Sequence, residues 1–119
     1  MSAIQDLTLF RSVDDSHHPA FFVRFMDEGH RISAIQASKR LIRERLNLRP
    51  GDAVLDVGCG PGTSLLEMAE IVGASGWLVG LDASEAMIAE ARRRAAASGV
   101  PVHFRRTRTG PQGIRHCGR

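Results

Sequence analysis

AVLDVGCGPGTSLLEMAE, residues 53–70, decides how the rest of the chain is read. Its first five residues are mostly aliphatic and rich in valine, the composition of a short strand buried on both faces. Gly58, Gly60 and Gly62 then alternate, and Leu65, Met68, Ala69 and Val72 repeat at helical spacing up to Gly73. The stretch therefore reads as strand, glycine turn, helix. Glycine admits positive φ and carries no side chain, so a ligand can press against the backbone of such a turn. The helix that follows directs its positive end at the same spot. Tight strand-to-helix turns also use glycine with no ligand, so the spacing alone leaves both readings open.

Downstream, GWLVGLD (76–82) reads as a second buried strand. Ser84 is the expected N-cap of a helix with Glu85 in its first turn. That helix is expected to finish with Arg92, Arg93 and Arg94 before Gly99, acid and base matching its dipole. VPVHF (100–104) makes a third strand. Strand and helix signals alternate as βαβαβ from 53 to 104, which predicts a parallel sheet with right-handed crossovers. Upstream, a helix is expected from Pro19 to Gly29, with Phe22, Phe25 and Met26 on one face. A second runs from its N-cap Ser33 to about Asn47, its stripe Ile35, Ile42 and Leu46 set among Lys39, Arg40, Arg43 and Arg45, until Pro50 and Gly51 turn the chain. Residues 1–16 show no clear period. The expected fold class is α/β: N-terminal helices followed by the βαβαβ half of a doubly wound parallel sheet. The division is a helical cap segment (1–49), a ligand-binding half-domain (50–104) and an Arg/Gly-rich tail (105–119) expected to be disordered.

At 119 residues the chain forms one domain at most, with an ordinary hydrophobic fraction of 43%. No run approaches a membrane span, and no signal peptide is visible, which makes the cytoplasm the expected location. Cys59 and Cys117 show no CxxC spacing, and no metal site is expected. The net charge of +3 comes from the tail: RRTRTGPQGIRHCGR holds five of the sixteen basic residues and no acid, which leaves eleven against thirteen, a net of −2. The tail reads as a solvated segment rather than a phosphate-binding one. Aromatics are scarce, with five Phe, one Trp and no Tyr, so a base-stacking surface and a nucleic-acid partner are not expected.

Asp82 ends the second strand, 20 residues beyond Gly62. From that position a carboxylate can accept hydrogen bonds from both hydroxyls of a ribose; a turn or N-cap acid ahead of the helix is the alternative, disfavoured because Ser84 is the better cap. Asp56 lies two residues before the first glycine, and an acid there suits a cationic ammonium better than a pyrophosphate. A dinucleotide fingerprint would also need glycine where Thr63 stands. These residues separate the nucleoside ligands into two classes and disfavour a nicotinamide-dependent oxidoreductase.

VLDVGCGPG (54–62) followed by GLDASEAMIAEAR (80–92) resembles the class I, Rossmann-like, S-adenosylmethionine-dependent methyltransferases, over roughly residues 50–104. IQASKRLIRERLNLRPGD (35–52) resembles the helix before the first strand in members acting on small molecules, including quinone-biosynthesis-type enzymes. The resemblance implies a methyl transfer from S-adenosylmethionine to a small-molecule acceptor. It places Gly58, Gly60 and Gly62 under the methionine and ribose portions, with Cys59 as a small space-filler beside them. Asp56 would hold the amino-acid end and Asp82 the ribose hydroxyls. Ala83 and Met87 would line the adenine, although Met87 also shares an apolar helix face with Ile88 and Ala91. It names no catalytic base, and the five histidines form no ligand spacing. The phenylalanine-rich first helix either roofs the cofactor or packs on the sheet. The family's acidic turn after the third strand is absent: Arg105, Arg106, Thr107, Arg108 and Thr109 stand there, and the chain reads as truncated or frame-shifted after Phe104. A non-catalytic cofactor-binding module is the main alternative, and the oligomeric state is left open.

Overall fold

The computed structural model describes Asp14 and residues 18–107. The elements run in order as α1 (Pro19–His30), α2 (Ser33–Leu46), β1 (Ala53–Val57), α3 (Thr63–Val72), β2 (Trp77–Asp82), α4 (Glu85–Ser98) and β3 (His103–Arg106). The sheet is parallel in the order β1-β2-β3, with Asp56 beside Gly80 and Phe104 beside Gly80 on its other flank. The expected βαβαβ architecture is thus present. The expected lead-in 1–16, apart from Asp14, and the expected tail beyond residue 107 lie outside the described residues, whereas Arg105 and Arg106, expected in the disordered tail, pair in β3.

Strand order fixes where the core sits. Two right-handed crossovers that step in one direction across a sheet leave both helices on one face. Here α3 contributes Leu65, Ala69 and Val72, and α4 contributes Ile88, Ala91 and Ala95, to one buried cluster with Leu78 and Phe104. Removing each of the larger side chains from water stabilises the fold by about 1.5–3 kcal/mol. Alternation along the strands then puts Ala53, Leu55, Val57, Trp77 and His103 on the opposite face. Leu55 is 61% exposed, Val57 72% and Trp77 59%. Trp77 and His103 stack there at 4.5 Å between ring centroids.

Helix ends depart from the sequence expectation in places. Ser84 is the N-cap of α4 and accepts from the Met87 amide at 3.1 Å, as expected. Ser33 is not a cap: Ile32 precedes α2 in an extended conformation, and no side chain caps that helix. Arg92, Arg93 and Arg94 do not close α4, which continues through Ser98 to Gly99 at φ 69°. They serve other contacts instead: Arg92 donates to the Phe104 carbonyl, Arg93 to Glu90, and Arg94 to Glu90 and Asp27. β3 begins at His103 rather than Val100 because the Val100 amide is bonded back to Ala95 O. The stripe of α2 is not buried either, since Ile42 and Leu46 are each about half exposed.

Candidate functional site

The glycine turn is tied to the end of β2. The amides of Gly58 and Cys59 both donate to Leu81 O, at 2.7 and 2.9 Å, and the Gly62 amide donates to Cys59 O. The Gly60 amide donates to Asp82 Oδ2 at 2.9 Å, and the Ser84 amide to Asp82 Oδ1 at 2.9 Å. Gly58, Gly60 and Gly62 all have positive φ, at 78°, 55° and 84°. The alternation is therefore a backbone requirement of this turn, and Asp82 is one of its anchors. Gly62 also starts α3 with no side-chain cap, and Thr63 and Ser64 in its first turn are partly buried.

A cavity of about 330 Å³ opens beside the turn, between α1, α2, the end of β1 and the start of α3. Of the residues predicted to bind a cofactor, Asp56, Gly58 and Cys59 line it. Asp82 is joined to the turn through Gly60 rather than lining this cavity. Ala83 turns its carbonyl to Arg106 Nε at 3.0 Å. Met87 is 3% exposed and packs against Phe22 of α1. The first helix thus covers α4 and the turn rather than the sheet: Met26 Cε comes within 3.6 Å of a Cβ built on Gly60, and Asp27 forms a bidentate pair with Arg94 at 2.9 and 3.0 Å.

The cavity wall also holds a polar cluster whose members lie far apart along the chain. His30 Nε2 bonds Glu67 Oε1 at 2.8 Å, Arg43 donates to Glu67 Oε2 at 2.5 Å, and Lys39 Nζ contacts His30 Nδ1. Lys39, Arg43 and His30 line the cavity with Asp56. Lys39 and Arg43 are four apart and so share a helix face, the one signal that would have grouped them. Burial lowers the Lys39 pKa, against the pull of Glu67 and Asp56. Burial raises that of Asp56, opposed by Lys39 and reinforced by Asp82. A half-buried acid and a half-buried ammonium thus share one wall, complementary to a zwitterionic end group. Burial, with Asp82 and Asp56 nearby, pushes the Cys59 thiol up to about 12, so it is a packed, inert side chain.

Among the described residues no helix is long and apolar enough to cross a membrane, and no group of three or more His, Cys, Asp or Glu residues could hold a metal ion.

Residues 54–110 match a family model described as a methyltransferase domain. Demethylmenaquinone methyltransferase of Symbiobacterium thermophilum is 48% identical over 52 residues, 44% of this chain and 21% of the relative. A solved protein-L-isoaspartate O-methyltransferase superposes with a TM-score of 0.58 at 27% identity, over 61% of this chain and 23% of that one. An S-adenosylmethionine-dependent methyltransferase from Aquifex aeolicus superposes at 0.50 with 25% identity, over 60% and 38%. The chain spans about a fifth to a third of the length of the curated relatives it matches.

Proposed function

We propose that this chain, whose residues 54–110 match a methyltransferase-domain family model and whose fold superposes on S-adenosylmethionine-dependent methyltransferases of the class I, Rossmann-like kind, is the cofactor-binding half of a methyltransferase acting on a small-molecule acceptor. The observation that carries the reading is the pairing, on one cavity wall, of Asp56 with Lys39 beside a glycine turn bonded to Asp82. The cavity is within the usual size of small-ligand sites, and its donor set matches an amino-acid end: Asp56 for the ammonium, Lys39 for the carboxylate. When bound, the cofactor supplies a methyl group made electrophilic by its sulfonium sulfur.

The residues of this chain bind and orient. Asp82 keeps its carboxylate at the tip of β2, where its remaining lone pairs accept ribose hydroxyls. The uncapped first turn of α3 adds a partial positive charge on the carboxylate side. Met26 shields the turn from water, which strengthens each polar contact beneath it. Ala83 and Met87 lie on the adenine side, where α1 is the roof. Alignment of the methyl group for in-line attack is the main contribution expected of such a site. A small apolar acceptor is suggested by the relative that acts on demethylmenaquinone. The buried reduced thiol of Cys59 is in keeping with a cytoplasmic setting.

Titration calorimetry with S-adenosylhomocysteine tests the reading. The wild-type chain is expected to bind it, and Asp56→Asn, which removes one charge without changing shape, to bind about tenfold more weakly. No heat with either S-adenosylhomocysteine or S-adenosylmethionine would refute the assignment.

A further inference from the structure

His30 is the most constrained polar group of the cavity, and its partners dictate its state. Its side chain is 13% exposed. Glu67 only accepts, so the His30 Nε2 facing it carries the ring proton; Lys39 only donates, so the Nδ1 facing it is bare. The ring is thereby a neutral bridge between α3 and α2. Gln36 Nε2 donates to the His30 carbonyl at 2.8 Å and fixes the backbone beneath it. The charged groups facing the ring are Glu67 on α3, Lys39 and Arg43 on α2, with Asp56 on β1 beyond Lys39.

We propose that His30 is a positioning residue: its bare Nδ1 holds the Lys39 ammonium at the cavity wall, so the affinity of the cavity for a carboxylate-bearing ligand depends on an acceptor at position 30. The proposal rests on the cavity receiving the amino-acid end of the cofactor. The physical cause is simple. An apolar side chain at position 30 would leave the Lys39 ammonium without that acceptor and free to turn from the wall. Lys39 is poised to respond, since its burial already disfavours its charge and Glu67 and Asp56 sustain it. Arg43 holds Glu67 from its other oxygen, so the movement is confined to Lys39.

The test compares two ligands. S-adenosylhomocysteine carries the carboxylate; 5′-methylthioadenosine has the same nucleoside and thioether without the amino-acid end. In His30→Leu, affinity for the first is expected to fall about tenfold, while that for the second is unchanged. His30→Gln offers a donor towards Glu67 and an acceptor towards Lys39. It should restore affinity for S-adenosylhomocysteine to within about threefold of the wild-type chain. Lys39→Met should bind that ligand weakly, with 5′-methylthioadenosine unaffected. An unchanged affinity in His30→Leu, no recovery in His30→Gln, or a loss shared by 5′-methylthioadenosine overturns the role of His30 while leaving the cofactor site standing. Failure of both ligands to bind the wild-type chain overturns the site itself, and the role of His30 with it.

Discussion

Replacing Gly62 by alanine separates two costs that the turn imposes, and replacing Gly58 provides the control. Both glycines sit at left-handed φ, 84° and 78°. An alanine at either position pays the same backbone penalty, about 1–2 kcal/mol. Their surroundings differ. A Cβ on Gly58 meets nothing within 4 Å, whereas one on Gly62 comes within 3.2 Å of Ala91 Cβ and 3.2 Å of Phe104 Cζ. Those neighbours are the floor of the core, Ala91 at 0% exposure and Phe104 at 4%, so neither can swing into solvent. Overpacking of that kind adds roughly 1–3 kcal/mol. Gly58→Ala is therefore expected to destabilise by about 1–2 kcal/mol and Gly62→Ala by about 2–5 kcal/mol. Urea unfolding followed by circular dichroism gives both values, provided the slope is unchanged between variants. The reasoning is refuted by equal losses for the two variants, since the backbone term alone would then account for the turn.

In a Cys117→Ser variant at pH 8, roughly one Cys59 thiol in ten thousand is ionised by a pKa of about 12, so a disulfide reagent should label it slowly in the native state and rapidly in urea; fast native labelling would show the turn to be open. Glu90 is held down to about 2 by hydrogen bonds from Arg93 and then Arg94. Because its folded value lies below its unfolded one, its contribution is present above the ordinary carboxylate pKa near 4.5 and is lost as pH falls towards about 2. Glu90→Gln should flatten the acid limb of a stability-against-pH curve in that window, and an unchanged limb would discount the pair. Asp14 behaves with the same sign: burial pushes its pKa up, but bonds from Ser84, Ala86 and Glu85 prevail and hold it below the usual value, so the protection of the Glu85 and Ala86 amides, relative to an unfolded chain at the same pH, should fall in acid and in Asp14→Ala. Finally, Leu55→Lys with Val57→Glu on the uncovered sheet face should reduce binding of a hydrophobic dye and self-association with little change in unfolding free energy, since both side chains are mostly exposed.

The strands and the four helices were legible because their signal is local. AVLDV, the alternating glycines and the Leu65–Val72 period each state their own structure, and Ser84 is a cap by virtue of three residues around it. Ser33 misled because its hydroxyl suits a cap, while the chain leaves α1 with too short a turn to put it there. Arg92–Arg94 misled for a related reason. They stand near a glycine, but pairing with Glu90, Asp27 and the Phe104 carbonyl, not the helix dipole, decides their place. Asp56 and Asp82 could be chosen from spacing along two strands. The His30–Glu67 and Lys39–His30 contacts could not, being 37 and 9 residues apart across three helices. Nor could the covering of Met87 by Phe22, which depends on where α1 comes to rest.

The position of the cavity and the bareness of one sheet face have a single topological origin. A parallel sheet is stable with both faces covered, yet right-handed crossovers running from β1 to β3 can cover only one. Covering the other requires strands added on the outer flank of β1, with crossovers that step the opposite way. The reversal falls at β1, and a crevice opens at the carboxyl ends of the strands where winding reverses. Asp56, Gly58 and the cavity lie at that end of β1. Leu55 and Val57 on the same strand are the residues left uncovered. An element that buried them would stand on the opposite face of the sheet from Asp56. The residues proposed to meet the cofactor and those that would meet an acceptor are thus divided by the strand itself. Substitutions on α2 should therefore alter cofactor affinity without choosing the acceptor, and the complementing element should do the reverse.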